Sequence, residues 1–368
     1  MMMIRCTTIH VFLTLCLGGV APADEASHTI SVFAGTGEKS YAGDGEAAVS
    51  ARLNNPFGLV RGPDGALYIC DTGNHVVRKV SPSGVIATVA GTGKAGYQGD
   101  GGKATEAKLN EPYEVRFDTS GDLYFVEMQN HVVRKVDSAT GTISTVAGTG
   151  ALGFDGDGGL AINAKLYRPH SIQFAPSGDL FICDIGNHRL RAVDRKTGMI
   201  RTVSGTGEKK TSPDGSRFAE ASLNGPRAID FDANGDLWLA LREGNAVYRF
   251  DMKAGKLHHI AGTGKKGFTG NGGPAKEATL SGPKGVSIAP DGNVYLADTE
   301  SHSVRMIDLA IKPPALRLIA GTGTKGSGSE GEALKSTMAR LHGIFVDKDG
   351  AIYIGDSENH RVWVIRKR

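Results

Sequence analysis

Cysteine is scarce in this sequence, the two signs of charge nearly cancel, and long apolar runs are missing. Four cysteines occur in 368 residues, and two of them, Cys6 and Cys16, lie close to the N-terminus. The formal net charge is +3 without a large basic block, so electrostatics give no reason to expect a nucleic-acid partner. The apolar stretch at residues 11–20 is about half of the roughly twenty residues that a spanning helix requires, so no transmembrane segment is expected in the mature chain. Sustained helical periodicity is absent as well. So are a nucleophile elbow and a Ser-His-Asp order, which removes the usual serine-hydrolase arrangements.

Glycine, by contrast, is abundant: 52 residues of 368, twice the average usage. Many tight turns follow, because glycine accepts the positive φ that other residues resist. The N-terminus reads as an export signal. Arg5 is its one charge, residues 11–20 are apolar, and Ala21-Pro22-Ala23 fits a small-x-small cleavage site. The expected product is a periplasmic or extracellular domain over residues 24–368. Cys16 lacks the small preceding residue of a lipid-anchor site.

Residues 91–102 read G-T-G-K-A-G-Y-Q-G-D-G-G, and the first six fit the dinucleotide pattern G-x-G-x-x-G. That string is not unique. Ala/Ser-Gly-Thr-Gly begins at Ala34, Ala90, Ala147, Ser204, Ala261 and Ala320, at spacings of 56, 57, 57, 57 and 59 residues. Such a period marks a solenoid or a propeller. One unit contains short strands at residues 58–61, 66–70, 75–80 and 85–90, separated by Pro63-Asp64-Gly65, Asp71-Thr72-Gly73-Asn74 and Ser81-Pro82-Ser83-Gly84. Six such meanders protect their edges only when arranged radially. The expected fold is therefore all-β: a six-bladed β-propeller of four-stranded antiparallel blades. Residues 29–34 make a lone fourth strand and the last unit stops after its third, residues 360–365, so the N-terminal strand should complete the last blade. Because the glycine loops follow an outer strand and open no helix, no nucleotide cofactor is expected.

The turn Cys70-Asp71-Thr72-Gly73-Asn74-His75-Val76-Val77-Arg78 returns in variant form at residues 183–191, 297–305 and 355–363. On these residues the chain resembles the NHL-repeat family of six-bladed propellers. Its A-G-T-G … G-D-G-G linkers are similar to those of exported bacterial NHL proteins and teneurin-type propellers. The resemblance implies the fold over the whole mature sequence. It implies little about activity, since the family includes adhesion modules, sensors, RNA-binding propellers and at least one lyase.

A residue present in every repeat serves the repeat; one that breaks the pattern is free to serve a ligand. Asp71, Glu127, Asp184, Asp298 and Asp356 recur before the turn, and Arg78, Arg134, Arg191, Arg249 and Arg305 recur on the third strand, so acid and arginine should pair. His75, His131, His188, His302 and His360 fall one per blade and read as turn residues, not metal ligands. Trp363 replaces the arginine in the last blade. Cys70 and Cys183 occupy equivalent places two blades apart, beyond the roughly 7 Å reach of a disulfide. The Asp155-Gly156-Asp157-Gly158-Gly159 stretch lacks EF-hand spacing, and its acid is expected to cap a short helical turn.

The residue after the linker proline opens the innermost strand and should ring the channel mouth. In order it is Phe57, Tyr113, His170, Arg227, Lys284 and His342, the last after Leu341 instead of proline. Glu114 replaces a small residue in blade two. Blade four has no G-D-G-G and carries Arg242 and Glu243 at its second turn. Together these nine residues are the expected ligand site, with arginine and lysine suited to a carboxylate, phosphate or acidic sugar.

The sequence Pro169-His170-Ser171-Ile172, with His342, also resembles the peptide-amidating lyase, and that resemblance implies three zinc-binding histidines. The inner histidines here are only two, in opposite blades, so no metal and no catalytic residue are assigned. Two functions remain open. One is a monomeric exported module binding an extracytoplasmic protein, peptide or glycan at the linker-side mouth. The other is a channel-centred enzyme of lyase or lactonase type.

Overall fold

Apolar residues between glycine turns set each strand, and their burial shows its place in the sheet. In blade one, Pro56–Arg61, Leu67–Asp71, Val76–Val80 and Ile86–Ala90 pair antiparallel in that order. The second strand, L-Y-I-C-D, is buried at all five positions, as a strand covered on both faces must be. The outer strand buries only its two ends. Four further sheets repeat this order in a computed structural model that describes residues 27–368. The export signal expected at residues 1–23 lies outside the described residues.

The sixth sheet closes the ring. Leu341–Val346, Ile352–Asp356 and Arg361–Lys367 supply its inner strands, and His28–Ala34 is added as the fourth, with Ile30 opposite Ile365 and Val32 opposite Trp363. A two-residue strand, Gly331–Glu332, lies outside it, so this blade has five strands where four were expected. Six apolar clusters fill the spaces between blades, one for each neighbouring pair, including the last and first. The core is thus a ring of interfaces. The helical segments among the described residues are all 3₁₀ turns, and none is long and apolar enough to cross a membrane.

The recurrent histidines work between blades. His75, His131, His188, His302 and His360 all adopt left-handed φ of 52–57°. Each Nδ1 accepts the backbone N–H that precedes the next blade's first strand. The donors are Glu111, Arg168, Gly225, Arg340 and Asn55, at 3.1–3.3 Å. Asn245 Oδ1 does the same for Gly282 at 2.9 Å. Six bonds thereby circle the disc, and His360 to Asn55 crosses the closure. An Nδ1 that accepts leaves the proton on Nε2, so these imidazoles are neutral. The glycine at the start of each linker lies against the same turn. A Cβ on Gly91, at φ +94°, would stand 2.4 Å from the His75 carbonyl, so only glycine fits.

The acid and arginine of each repeat meet across the sheet. Arg134 lies 3.1 Å from Glu127, Arg305 lies 3.3 Å from Asp298, and all four side chains are inaccessible. The linker aspartate does not cap a helical turn, which corrects the expectation for Asp155–Gly159. The 3₁₀ turns have no side-chain cap, and Asp44, Asp100 and Asp157 instead reach Arg78, Arg134 and Arg191 at 2.5–2.7 Å. Tyr41, Tyr97 and Phe154 lie over the same guanidinium groups.

Arg249 is also corrected. It sits one residue beyond the equivalent position and pairs with Asp236 at 3.5 Å, as Lys135 does with Asp122. Tyr248 takes the buried place, bonded to the Ser212 carbonyl at 2.8 Å, and Leu241 takes that of the acid. Blade four has lost both charges together, as expected when one alone would be stranded. In blade six Trp363 Nε1 donates to Asp356 at 2.8 Å. Cys70 and Cys183 are separate buried thiols.

Burial lowers the pKa of all five turn histidines. The unfolded chain therefore binds more protons near pH 6, and their stabilisation, complete above the ordinary value of 6.5, is lost as pH falls through the folded values. Replacing all five by asparagine, as at Asn245, should flatten this part of the acid response. The difference in Tm between wild type and variant, followed from pH 8 to 5, should shrink or reverse on acidification; parallel curves would contradict the assignment.

Candidate functional site

The bond from each turn histidine fixes where the next inner strand begins, and so aims the residue after the proline at the channel. All six predicted mouth residues are brought together. The Phe57 ring stacks on His342 at 4.0 Å and meets Tyr113 at 4.5 Å, and Tyr113 meets His170 at 4.4 Å. Arg227 lies over the Tyr113 ring, 4.6 Å from its centroid. Lys284 Nζ stands 3.2 Å from His342 Nε2, which brings the sixth residue into the group.

Above these side chains is a cavity of about 500 Å³, within the usual range of ligand sites. Arg227, Arg242, Lys284, Arg168 and Lys209 line it against two acids, Glu111 and Glu243, so its charge is positive. Arg168 and Lys209 were not singled out from the sequence. Arg168 had a signal: the residue before the proline varies too, as Asn55, Glu111, Arg168, Gly225 and Gly282, with Arg340 before Leu341 in the last blade. His342 stands behind the lining, its Nδ1 2.8 Å from the Arg340 carbonyl and 2.9 Å from Ser357 Oγ.

Glu114 is not at the mouth. Side chains alternate along a strand, and Glu114 turns into the throat, where it pairs with Arg116. Asp230 and Gln173 meet there at 2.8 Å. Burial raises the pKa of Glu114 and Asp230 while Arg116 opposes it, and these groups plug the channel below the aromatic layer. Arg242 is at the rim, as predicted, but Glu243 takes it up at 2.8 Å, so the two do not leave a free fork.

The charged groups differ sharply in how they are satisfied. Lys284 is 4% exposed and donates to Glu300 at 3.2 Å. Burial, together with Arg227 and Arg340, lowers its pKa to about 7. Burial opposes ionisation of Glu300 as well, but Lys284 and Arg340 hold that carboxyl down to about 2. His170 gives its Nδ1 proton to the Arg168 carbonyl, and burial lowers its pKa to about 3, so a neutral ring keeps Nε2 as an acceptor. Burial, reinforced by Arg242, also weighs against the charge on Arg227. A guanidinium nevertheless stays protonated in proteins, so the cost falls on stability.

The opposite end of the channel holds a larger cavity, about 770 Å³. Its walls are first-turn residues of the repeat, and its arginine, Arg61, is paired with Asp347 at 2.7 Å. The linker-side mouth, with varied residues and an unpaired cation, is the better candidate. Among the described residues no group of three or more His, Cys, Asp or Glu is arranged to hold a metal ion.

Six radial sheets around a polar, partly plugged channel define a six-bladed β-propeller. The teneurin NHL domain family matches residues 16–98, and the NHL repeat family matches residues 280–305 and 338–365. The chain thus carries sequence matches to NHL repeats at both ends of the ring and is similar to NHL-repeat propellers. It is 25% identical over 284 residues to protein SUPPRESSOR OF QUENCHING 1, chloroplastic, of Arabidopsis thaliana, covering 74% of this chain and 26% of that protein. It is 26% identical over 329 residues to NHL repeat-containing protein 2 of Homo sapiens, covering 81% and 44%. The chain thus spans less than half the length of these relatives.

Among solved structures, an auxiliary nutrient binding protein from Bacteroides ovatus superposes with TM-score 0.66 at 17% identity, covering 93% of this chain and 77% of that one. A streptogramin B lyase superposes with TM-score 0.56 at 13% identity, covering 93% and 98%. Both likenesses are of fold.

Between pH 7 and the ordinary lysine value of 10.5 the unfolded chain binds the Lys284 proton and the folded chain does not, so stability rises with pH in that window. Lys284→Met lacks this gain. Urea denaturation from pH 6 to 10 should show wild type gaining on the variant above about 7; an unchanged difference would place Lys284 in a normally solvated setting.

Proposed function

We propose that this protein is an exported binding module whose linker-side mouth holds an extracytoplasmic ligand: a peptide or glycan, or the part of a protein that fits the cup. One observation carries the reading. On a frame whose residues repeat blade by blade, the six side chains that converge at the mouth are all different in setting, and five of them line one cationic cavity with His342 behind. Variation confined to a concave, converging surface is what ligand selection produces. Export is supported by Arg5, the apolar residues 11–20 and Ala21-Pro22-Ala23. Fold likeness to a nutrient-binding protein agrees with a binding role.

A second reading, acid–base catalysis at the same mouth, is favoured by the pairing of an open acceptor, His170 Nε2, with Lys284, whose pKa is about 7. Fold likeness to a lyase is in keeping with it. The two carry different signatures. Screening the mature chain against glycans and short peptides, with turnover of lactones followed in parallel, should give binding without turnover. Tyr113→Ala should weaken binding at least tenfold, because Tyr113 touches Phe57, His170 and Arg227 together. Turnover abolished by His170→Ala would favour the enzyme. Undiminished affinity in Tyr113→Ala would move the site away from this mouth.

A further inference from the structure

The buried arginines of this fold are of two kinds. Arg78, Arg134, Arg191 and Arg305 each face an acid of their own sheet, and Arg116 faces Glu114. Arg227 is 4% exposed, and its guanidinium has no hydrogen bond or ion pair among the described residues; buried Nε is left without any acceptor. One face of the guanidinium is covered by Tyr113, and the group lines the mouth cavity. A buried, uncompensated charge is costly, and proteins retain one where something absent from the folded chain completes it.

We infer that Arg227 is a carboxylate-binding subsite: the ligand of the mouth presents a carboxylate that pairs edge-on with this guanidinium. The inference rests on the mouth being the binding face. Stacking on Tyr113 leaves the planar edge of the fork open, which matches two carboxylate oxygens. Lys284, with two of its three donors directed to Glu300 and His342, retains one for the same anion. Arg242 and Arg340 add to the positive charge around Arg227 while Glu243 and Glu300 offset it, so the choice of anion rests on the planar edge of the fork. Arg242, already held by Glu243, guides the anion at the rim and does not replace Arg227.

The test uses the mature chain, with thermal shift and calorimetric titration at constant ionic strength. The probes are acetate, sulfate and phosphate against chloride, glucuronate against glucose, and N-acetyl-dialanine against its amide. Carboxylates should stabilise wild type above chloride, and each acid should bind at least tenfold more tightly than its neutral counterpart. Both advantages should vanish in Arg227→Met. Arg227→Met should also melt above ligand-free wild type, because it removes an unpaired buried charge, whereas Arg78→Met should melt well below it.

Glucuronate alone, or the peptide acid alone, would support the inference and name the source of the carboxylate. Equal binding of acids and neutral counterparts would overturn it while leaving the mouth reading intact. Phosphate or sulfate outdoing every carboxylate would overturn the choice of anion, and no binding by any probe would count against both readings. A fall in melting temperature for Arg227→Met matching that of Arg78→Met would make Arg227 part of the frame.

Discussion

A left-handed turn at the end of each second strand presents a side-chain acceptor, and the next blade can begin only where its backbone N–H meets that acceptor. Five histidines and one asparagine make this contact, so the blades are spaced by hydrogen bonds and sealed by the apolar clusters between them. Everything at the mouth follows from that spacing. The donor residue precedes the proline (Leu341 in the last blade), that residue precedes the mouth residue, and its direction is set by backbone alone. The mouth side chain is therefore free to change from blade to blade without disturbing the frame. Phenylalanine, tyrosine, histidine, arginine and lysine occupy one structural position for this reason.

The repeat made the architecture legible. Six glycine signatures at a near-constant period, a spare strand at one end and a missing strand at the other, were enough for blade number and closure. The same repeat exposed the mouth, since Phe57, Tyr113, His170, Arg227, Lys284 and His342 stand at one register position. What escaped reading depended on contacts that no register contains. Asp44, Asp100 and Asp157 each reach an arginine 34 residues further on, a distance set by how the linker folds over the blade. Glu114 differs from Tyr113 by one position, and strand alternation sends it to the throat. Arg249 was misplaced by one residue, because an arginine in blade four stands where blades one and two carry Lys79 and Lys135. The Glu300–Arg340–Glu358 network joins two blades through half-buried turns and has no counterpart in the motif.

The two uses of arginine mark the division between frame and site. In the frame, charge is matched inside one sheet, then covered by an aromatic ring from the linker. At the mouth, Arg227 has the ring and lacks the acid. Blade four, which supplies it, has also exchanged its internal charge pair for Leu241 and Tyr248, so that blade holds no buried guanidinium other than the one facing the cavity. Its linker keeps an aspartate, Asp214, at the place of Asp44, Asp100 and Asp157, but with the arginine gone that carboxylate pairs with Lys276 at 2.8 Å and accepts the His259 N–H.

The closing strand also sets an order of events during synthesis. Thr29 bonds to Arg366 across 337 positions of chain, and Arg368 donates to Ser27 at 2.9 Å. Of the strands in the disc, the first to be made must wait for the last, and a loop that long closes slowly. Until then His28–Ala34 is an unpaired edge, and the first and last blades each show an apolar flank that will later be sealed. Nascent chains stalled before residue 361 should thus be the most aggregation-prone, whereas the finished disc, lacking any free end strand, gains its resistance to unfolding in one step.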